Sequence, residues 1–134
     1  MIEYFEKLSY ERKIDVLVAT HVFNEKITIV KMDEYYSCTW LDKTGPAILV
    51  PCYSTLLTSA WDVVRNFDYC YLFRSKDFKG GQWECKLVQE ETVHIMGKYQ
   101  QVYAWAETIQ LAICYAGLKA VGYPLMDFLK GEVV

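Results

Sequence analysis

Apolar residues recur at helical spacing in three stretches of the chain. The first predicted helix starts after Ser9, which can cap it, and its apolar stripe has spacings of three and four: Ile14, Leu17, Val18 and Val22. The second opens at Tyr53 with Ser54 or Thr55 as its cap and has a stripe that we expect to be buried: Leu57, Ala60, Trp61, Val64 and Phe67.

The third predicted helix runs from Thr108 to about Val121, and Gly122 ends it. Alternating or β-branched runs predict short strands elsewhere: 27–32, 47–50, 69–74, 83–87, 92–96 and 101–105. The polar and aromatic stretch 33–46 favours an exposed loop or an irregular hairpin. These elements predict an α+β fold, a small antiparallel sheet packed with three helices in a layered α/β/α sandwich.

The composition narrows the class of protein. The 134 residues are 53% hydrophobic with a net charge of −3, which fits one domain over 1–134 whose tail, 122–134, packs on the body or on a second subunit. The chain has no excess of basic residues, so we do not expect it to bind DNA or RNA. No apolar run of signal-peptide or membrane-spanning length is present, so we expect a cytoplasmic protein without membrane contact. Five cysteines without a C-x-x-C pair predict neither a disulfide framework nor a metal site.

Aromatic residues make up an unusual 16% of the chain. Three of the four tryptophans, Trp61, Trp83 and Trp105, fit core positions on periodic elements. Tyr35, Tyr36 and Trp40 lie in a polar stretch where periodicity does not require them. They can clamp a base or face another subunit, and the alternative is a loop folded over the core.

Two predicted helix starts are candidate anion sites. Ser54 and Thr55, after Tyr53, place hydroxyls and free peptide N–H groups at the positive end of a helix dipole, and Thr108 does so more weakly beside Glu107. The simpler interpretation of each is an ordinary N-cap. We found no catalytic motif, no metal-ligand spacing and no sign of a cofactor.

Three blocks of residues resemble the phage ABA-sandwich domain family, small phage and prophage proteins of largely undescribed function. They are Asp15-x-x-Val18-Ala19-x-x-Val22-Phe23, then Tyr53-Ser54-Thr55 with Ala60-Trp61-x-Val63-Val64, then Thr108-x-x-Leu111-Ala112-Ile113-Cys114-x-Ala116-x-Leu118-x-Ala120. The last block departs from the family pattern at Gln110, where proline is usual. An aromatic insertion, 24–52, separates the first two blocks.

The resemblance, together with the aromatic residues and the lack of a catalytic motif, suggests a non-enzymatic phage protein. It would sequester a nucleotide-derived immune signal in the cytoplasm of the infected host, as a homo-oligomer. The expected ligand-binding residues are Tyr53, Ser54, Thr55, Trp40, Tyr36, Arg65 and Thr108. The alternative is an oligomeric protein-interaction module without a small-molecule ligand, and hydrolysis of the signal is a third hypothesis.

Overall fold

The computed structural model describes residues 2–41, 48–74, 83–90 and 99–124. Its helices are α1 (Tyr10–Leu17), α2 (Leu57–Val64) and α3 (Ile109–Ala120), and its strands are β1 (Ile27–Lys31), β2 (Tyr36–Trp40), β3 (Tyr69–Arg74), β4 (Trp83–Glu90) and β5 (Tyr99–Ala106). The strands form two antiparallel sheets, β1–β2 and β3–β4–β5. The predicted α+β fold is confirmed for the described residues, with two small sheets instead of one.

The helix α1 starts at the predicted cap and ends in a wider turn. The Arg12 N–H donates to the Ser9 hydroxyl oxygen at 3.3 Å. Beyond α1 the chain forms a π turn, Val18–Val22, closed by the Phe23 N–H, which donates to the Val18 carbonyl oxygen at 3.2 Å. Asn24, with a φ of 56°, then turns the chain out of the helical path towards β1.

The strands β1 and β2 form a hairpin, so the second alternative for 33–46 is confirmed where that stretch is described. Ile29 pairs with Cys38, and both side chains are buried because they point to the same face of the sheet. The short strand predicted at 47–50 contributes one bridge, between Thr39 and Leu49. Residues 42–47 lie outside the described part of the chain.

The strand β4 is the centre of the second sheet. Its alternate residues Cys85 and Leu87 are buried on the face that α3 covers, and the small Ala104 of β5 lies opposite Cys85. The predicted strands at 69–74 and 83–87 are confirmed, and 101–105 falls within β5. The residues between β3 and β4, 75–82, and the strand expected at 92–96 lie outside the described residues.

The helix α3 is the most buried element of the described structure. Every residue from Ala112 to Leu118 is buried, and the Thr108 hydroxyl oxygen accepts from the Leu111 N–H at 3.2 Å, which confirms the predicted cap. A Cβ atom on Gly117 would lie 2.7 Å from Val63 Cγ1 of α2. The close approach of α2 to α3 therefore requires glycine at this position.

Only one side of α2 packs against the core. Ala60 and Val63 are fully buried, whereas Leu57 and Trp61 are 45% and 43% exposed, so the predicted burial of these two residues is wrong. A short helix whose outer side is not covered buries a narrower stripe than its apolar residues suggest. Trp83 and Trp105 are partly buried.

Among the described residues, every helix is too short or too polar to cross a bilayer. The chain leaves α3 through Gly122, with a φ of 83°, and Tyr123 then lies against His21 with the ring centroids 4.7 Å apart. Residues 125–134 fall outside the described structure, and most of the tail that we expect to pack on the body or on a second subunit falls there with them.

Candidate functional site

A buried ion pair holds the segment before α2 against α1. Asp15 of α1 is 1% exposed, and its carboxylate accepts from Arg12 Nη1 at 2.8 Å and from the Ser54 peptide N–H at 2.7 Å. Arg12 Nη2 also donates to the Val50 carbonyl oxygen at 3.0 Å. Because a buried carboxylate must be paired or hydrogen-bonded, these contacts fix the position of residues 50–54.

Ser54 belongs to this junction and does not cap α2. Its hydroxyl donates to the Glu11 carbonyl oxygen of α1 at 2.9 Å. The helix begins at Leu57, and its N-cap residue, Leu56, makes no side-chain capping bond. The predicted earlier start, with Ser54 or Thr55 as the cap, is wrong because polar groups of α1 engage the hydroxyl and the peptide N–H of Ser54.

An open cleft of about 360 Å³ lies beside the junction. It is bounded by the end of β2, the segment 51–53 and the C-terminal half of α2. Three of its lining residues are aromatic, Phe23, Trp40 and Tyr53, and four are polar or charged, Glu25, Asp62, Arg65 and Asn66. Its volume falls within the range of about 300–1,000 Å³ that is typical of small-molecule sites.

Two of the aromatic rings that line the cleft stack on each other. The rings of Phe23 and Tyr53 are nearly parallel, with centroids 5.2 Å apart and an interplanar angle of 17°. Tyr53 is buried, and the loss of water and then the negative charge of Asp62 raise its pKa above the ordinary tyrosine value. Its phenol therefore stays neutral at physiological pH. Trp40 is partly buried beside these rings.

The charged residues of the cleft are more exposed. Arg65 Nη1 lies 3.0 Å from Asp62 Oδ1, and the two side chains are 72% and 46% exposed, so water screens the pair and its net contribution to stability is small. Glu25 adds a second carboxylate. Asn66 donates from its side-chain amide to the Asp62 carbonyl oxygen at 3.2 Å, which satisfies part of the C-terminal end of α2.

This set of groups is suited to binding a small polar ring system. Aromatic faces allow stacking, carboxylates accept from ring N–H groups, and a guanidinium pairs with an anion. The described lining of the cleft holds no cysteine, histidine or serine. Across the described ranges, no group of three His, Cys, Asp or Glu side chains is placed to hold a metal ion.

Three of the seven predicted ligand-binding residues meet in the cleft: Trp40, Tyr53 and Arg65. Ser54 is next to them in the sequence, but its side chain is buried and bonded to α1. Tyr36 lies at the start of β2 with its ring centroid 5.5 Å from that of Tyr4, and it does not line the cleft.

The remaining two, Thr55 and Thr108, lie where α2 and α3 begin side by side. Gln110 Nε2 donates to the Thr55 carbonyl oxygen at 3.2 Å, which joins the two helix starts. Arg65 follows the other end of α2, about 12 Å away along the helix axis. The predicted anion sites at the helix starts are therefore separate from the cleft.

Five lining residues were not predicted from the sequence: Phe23, Glu25, Pro51, Asp62 and Asn66. Phe23 ends the first of the three family blocks, and its place there was the one available signal. Asp62 and Arg65 have the spacing of an ordinary helical ion pair, which does not distinguish a ligand site from a solvated surface.

Comparison with known proteins places the chain in a family. Residues 16–118 match the phage ABA sandwich domain, and the chain belongs to this family. It is also similar to the 2.0 Å crystal structure of a phage protein from Bacillus cereus ATCC 14579, with 24% sequence identity and a TM-score of 0.56 over 84% of this chain and 93% of that one. This second likeness shows the fold alone. No curated protein matches the chain.

Proposed function

We propose that the chain is a phage-encoded, non-enzymatic binding protein that sequesters a nucleotide-derived immune signal in the cytoplasm of the infected host. The observation that carries the proposal is the meeting of Phe23, Trp40 and Tyr53 with Arg65 in one cleft. Membership of a phage protein family supports a role during phage infection. The aromatic and charged lining of the cleft supports a nucleotide as the ligand.

Each part of a nucleotide has a matching group in the cleft. A base stacks on the exposed part of Trp40 or of Phe23, where each stacked base contributes about 1–3 kcal/mol. The Glu25 carboxylate accepts from ring or exocyclic N–H groups of the base. Arg65 pairs with a phosphate through guanidinium N–H groups that Asp62 does not engage, since Asp62 accepts from Nη1 alone.

Sequestration sets a requirement on affinity. A protein that removes a signal without destroying it removes one molecule per site, so the dissociation constant must lie below the working concentration of the signal. The partly open cleft of one chain leaves much of a nucleotide in contact with water. We therefore expect a second subunit to complete the enclosure.

The experiment is mass spectrometry of ligand released by denaturing the protein purified from infected cells. Intact nucleotide in the supernatant of the wild type, and its loss from Trp40→Ala and Arg65→Ala, is the expected result. Trp61→Ala is the matched control, since Trp61 is exposed on α2 and does not line the cleft. Wild-type protein that releases no nucleotide, or Trp40→Ala that retains it fully, contradicts the proposal.

Incubation with the released nucleotide separates binding from hydrolysis. Recovery of the intact compound supports sequestration, whereas a cleaved product shows an enzyme. Expression of the wild type should also restore phage growth against a host defence system that uses such a signal. The Trp40→Ala variant should not restore it.

One observation favours a second candidate, a protein-interaction module without a ligand. The tip of the β1–β2 hairpin carries exposed apolar side chains, with Tyr35 at 61% exposure beside Met32 and Val30. Exposed apolar clusters commonly mark interfaces. Under this alternative, Tyr35→Ala abolishes capture of a host or phage protein, whereas Trp40→Ala leaves that capture unchanged.

A further inference from the structure

A second cavity, of about 360 Å³, shares no lining residue with the cleft. Three separate parts of the chain form its walls: the N-terminal turn, the end of α1 with the π turn that follows it, and the segment after α3. The walls include Phe5, Glu6, Leu17, Thr20, His21 and Tyr123. The volume also falls within the range of about 300–1,000 Å³ that is typical of small-molecule sites.

Backbone hydrogen bonds hold the outer walls of this cavity in place. Phe5 begins a 3₁₀ turn, Phe5–Lys7, and the Leu8 N–H closes it by donating to the Phe5 carbonyl oxygen at 3.1 Å. The Tyr123 N–H donates to the Leu118 carbonyl oxygen at 3.0 Å, a bond that commonly ends a helix. The fold itself therefore sets the shape of the cavity.

Thr20 brings an unsatisfied hydroxyl to the cavity wall. Its Oγ1 atom is buried, and the described part of the chain offers it no hydrogen-bond partner. A helical threonine commonly donates to the carbonyl oxygen three or four residues earlier, but Thr20 lies in the wider π turn, Val18–Val22, and does not make this bond.

The unsatisfied hydroxyl of Thr20 is a sign of function. A buried polar group without a partner destabilises a fold, and π turns are frequent at functional sites. Threonine has more than one low-energy rotamer in a helix. Rotation about the Cα–Cβ bond turns the hydroxyl towards the cavity, where a polar group of a ligand can satisfy it.

The other lining groups favour an uncharged aromatic ligand. The ring centroids of His21 and Tyr123 lie 4.7 Å apart, and Phe5 adds a third ring. Partial loss of water lowers the pKa of His21 below its ordinary value, so the imidazole is neutral at pH 7. The Glu6 carboxylate is paired with Lys13 at 3.5 Å. The described lining therefore offers neither an anion nor a cation an unpaired opposite charge.

We propose that this cavity binds a small uncharged aromatic molecule that carries a hydroxyl group, and that the Thr20 hydroxyl forms a hydrogen bond with that group. The aromatic part of the ligand packs against Leu17 and the three rings. The inference does not rest on the proposed nucleotide cleft, because the two sites share no lining residue.

The test uses p-cresol and toluene as probes, because the two molecules differ only in the hydroxyl group. Each probe is titrated into the full chain, and binding is followed by the NMR chemical shifts of the backbone amides. Saturable shifts should appear at residues 2–6, 17–21 and 123, around the cavity. In Thr20→Val, the affinity for p-cresol should fall about three- to tenfold, whereas that for toluene should stay within about twofold of the wild type.

Thr20→Val also has a readout without any probe. Valine has nearly the same shape as threonine and lacks the hydroxyl, so the variant should unfold at a higher urea concentration than the wild type. Thr58→Val makes the same substitution at an exposed position of α2 outside both sites. This matched control should bind both probes as the wild type does.

The absence of saturable binding by either probe up to its solubility limit overturns the proposal and would point to a protein segment as the occupant of the cavity. Shifts confined to the residues of the cleft overturn it as well. So does a Thr20→Val variant that binds p-cresol as tightly as the wild type. A lower urea midpoint for Thr20→Val also contradicts the proposal, because the hydroxyl would then have a partner in the free protein.

Discussion

Two arginine–aspartate pairs have the same spacing in the sequence but differ in burial and in their additional hydrogen bonds. Arg12 and Asp15 pair on α1 at 2.8 Å, and Asp62 and Arg65 pair on α2 at 3.0 Å, each three residues apart. Asp15 is buried and also accepts from the Ser54 N–H, whereas the second pair is exposed at the cleft. Burial and the additional partners make the first pair part of the packed structure, whereas the second pair stays accessible to water.

The largest difference should appear when each aspartate is removed. Asp15→Ala leaves the guanidinium of Arg12 and the Ser54 N–H without their buried acceptor, and we expect a loss of about 3–5 kcal/mol in the free energy of unfolding. Asp62→Ala removes an exposed partner and should change it by no more than about 0.5 kcal/mol. Urea unfolding of both variants measures the contrast. Equal losses would show that burial does not separate the two pairs.

A smaller contrast is expected between the adjacent hydroxyls of Ser54 and Thr55. Ser54→Ala removes the hydroxyl that donates to the Glu11 carbonyl oxygen in a partly buried setting, so we expect a loss of about 1 kcal/mol in the free energy of unfolding. Thr55 is exposed, and Thr55→Ala should stay within about 0.5 kcal/mol of the wild type. Thermal or urea unfolding measures both. A larger loss for Thr55→Ala than for Ser54→Ala would mean that the Thr55 hydroxyl, and not the Ser54 hydroxyl, stabilises the fold.

The difference between contacts made with chain neighbours and contacts made with distant residues explains which elements of the fold the sequence predicts. A β-branched run correctly indicates β1, and alternation correctly indicates β3 and β4. The caps at Ser9 and Thr108 are also right, because all these features depend on neighbours in the chain. The start of α2 is wrong because the partner of Ser54, Asp15, lies 39 residues away. No local pattern contains that contact.

The residues of the candidate site also divide into those that the local sequence indicates and those that only the fold brings together. Trp40 stands out in the sequence as an aromatic residue in a polar stretch, and it does line the cleft. Glu25 and Asn66 have no such signal, since each is an ordinary polar residue until the fold brings the segment before β1 and the segment after α2 to the same cleft. Trp61 shows the opposite error, because helical spacing predicts burial only where a second element covers that side of the helix.

The smallest effect concerns Tyr53, which lies between the two pairs. Loss of water, then the charge of Asp62 and then that of Asp15 raise its pKa, so that the folded protein keeps its proton at pH values where the unfolded chain has lost it. Below a pH of about 10 both states are protonated and this residue contributes no pH dependence. Above that pH the unfolded state binds fewer protons, so the free energy of unfolding falls as pH rises.

Tyr53→Phe removes this contribution. The variant should match the wild type within about 0.5 kcal/mol at pH 7, and at pH 11 it should lose roughly 1 kcal/mol less than the wild type does. Urea unfolding at the two pH values measures both effects. A variant that loses as much stability as the wild type at pH 11 would show that the phenol of Tyr53 ionises freely in the folded protein. The buried side of the cleft would then be open to water, and the contrast between the two pairs would be smaller than their exposures indicate.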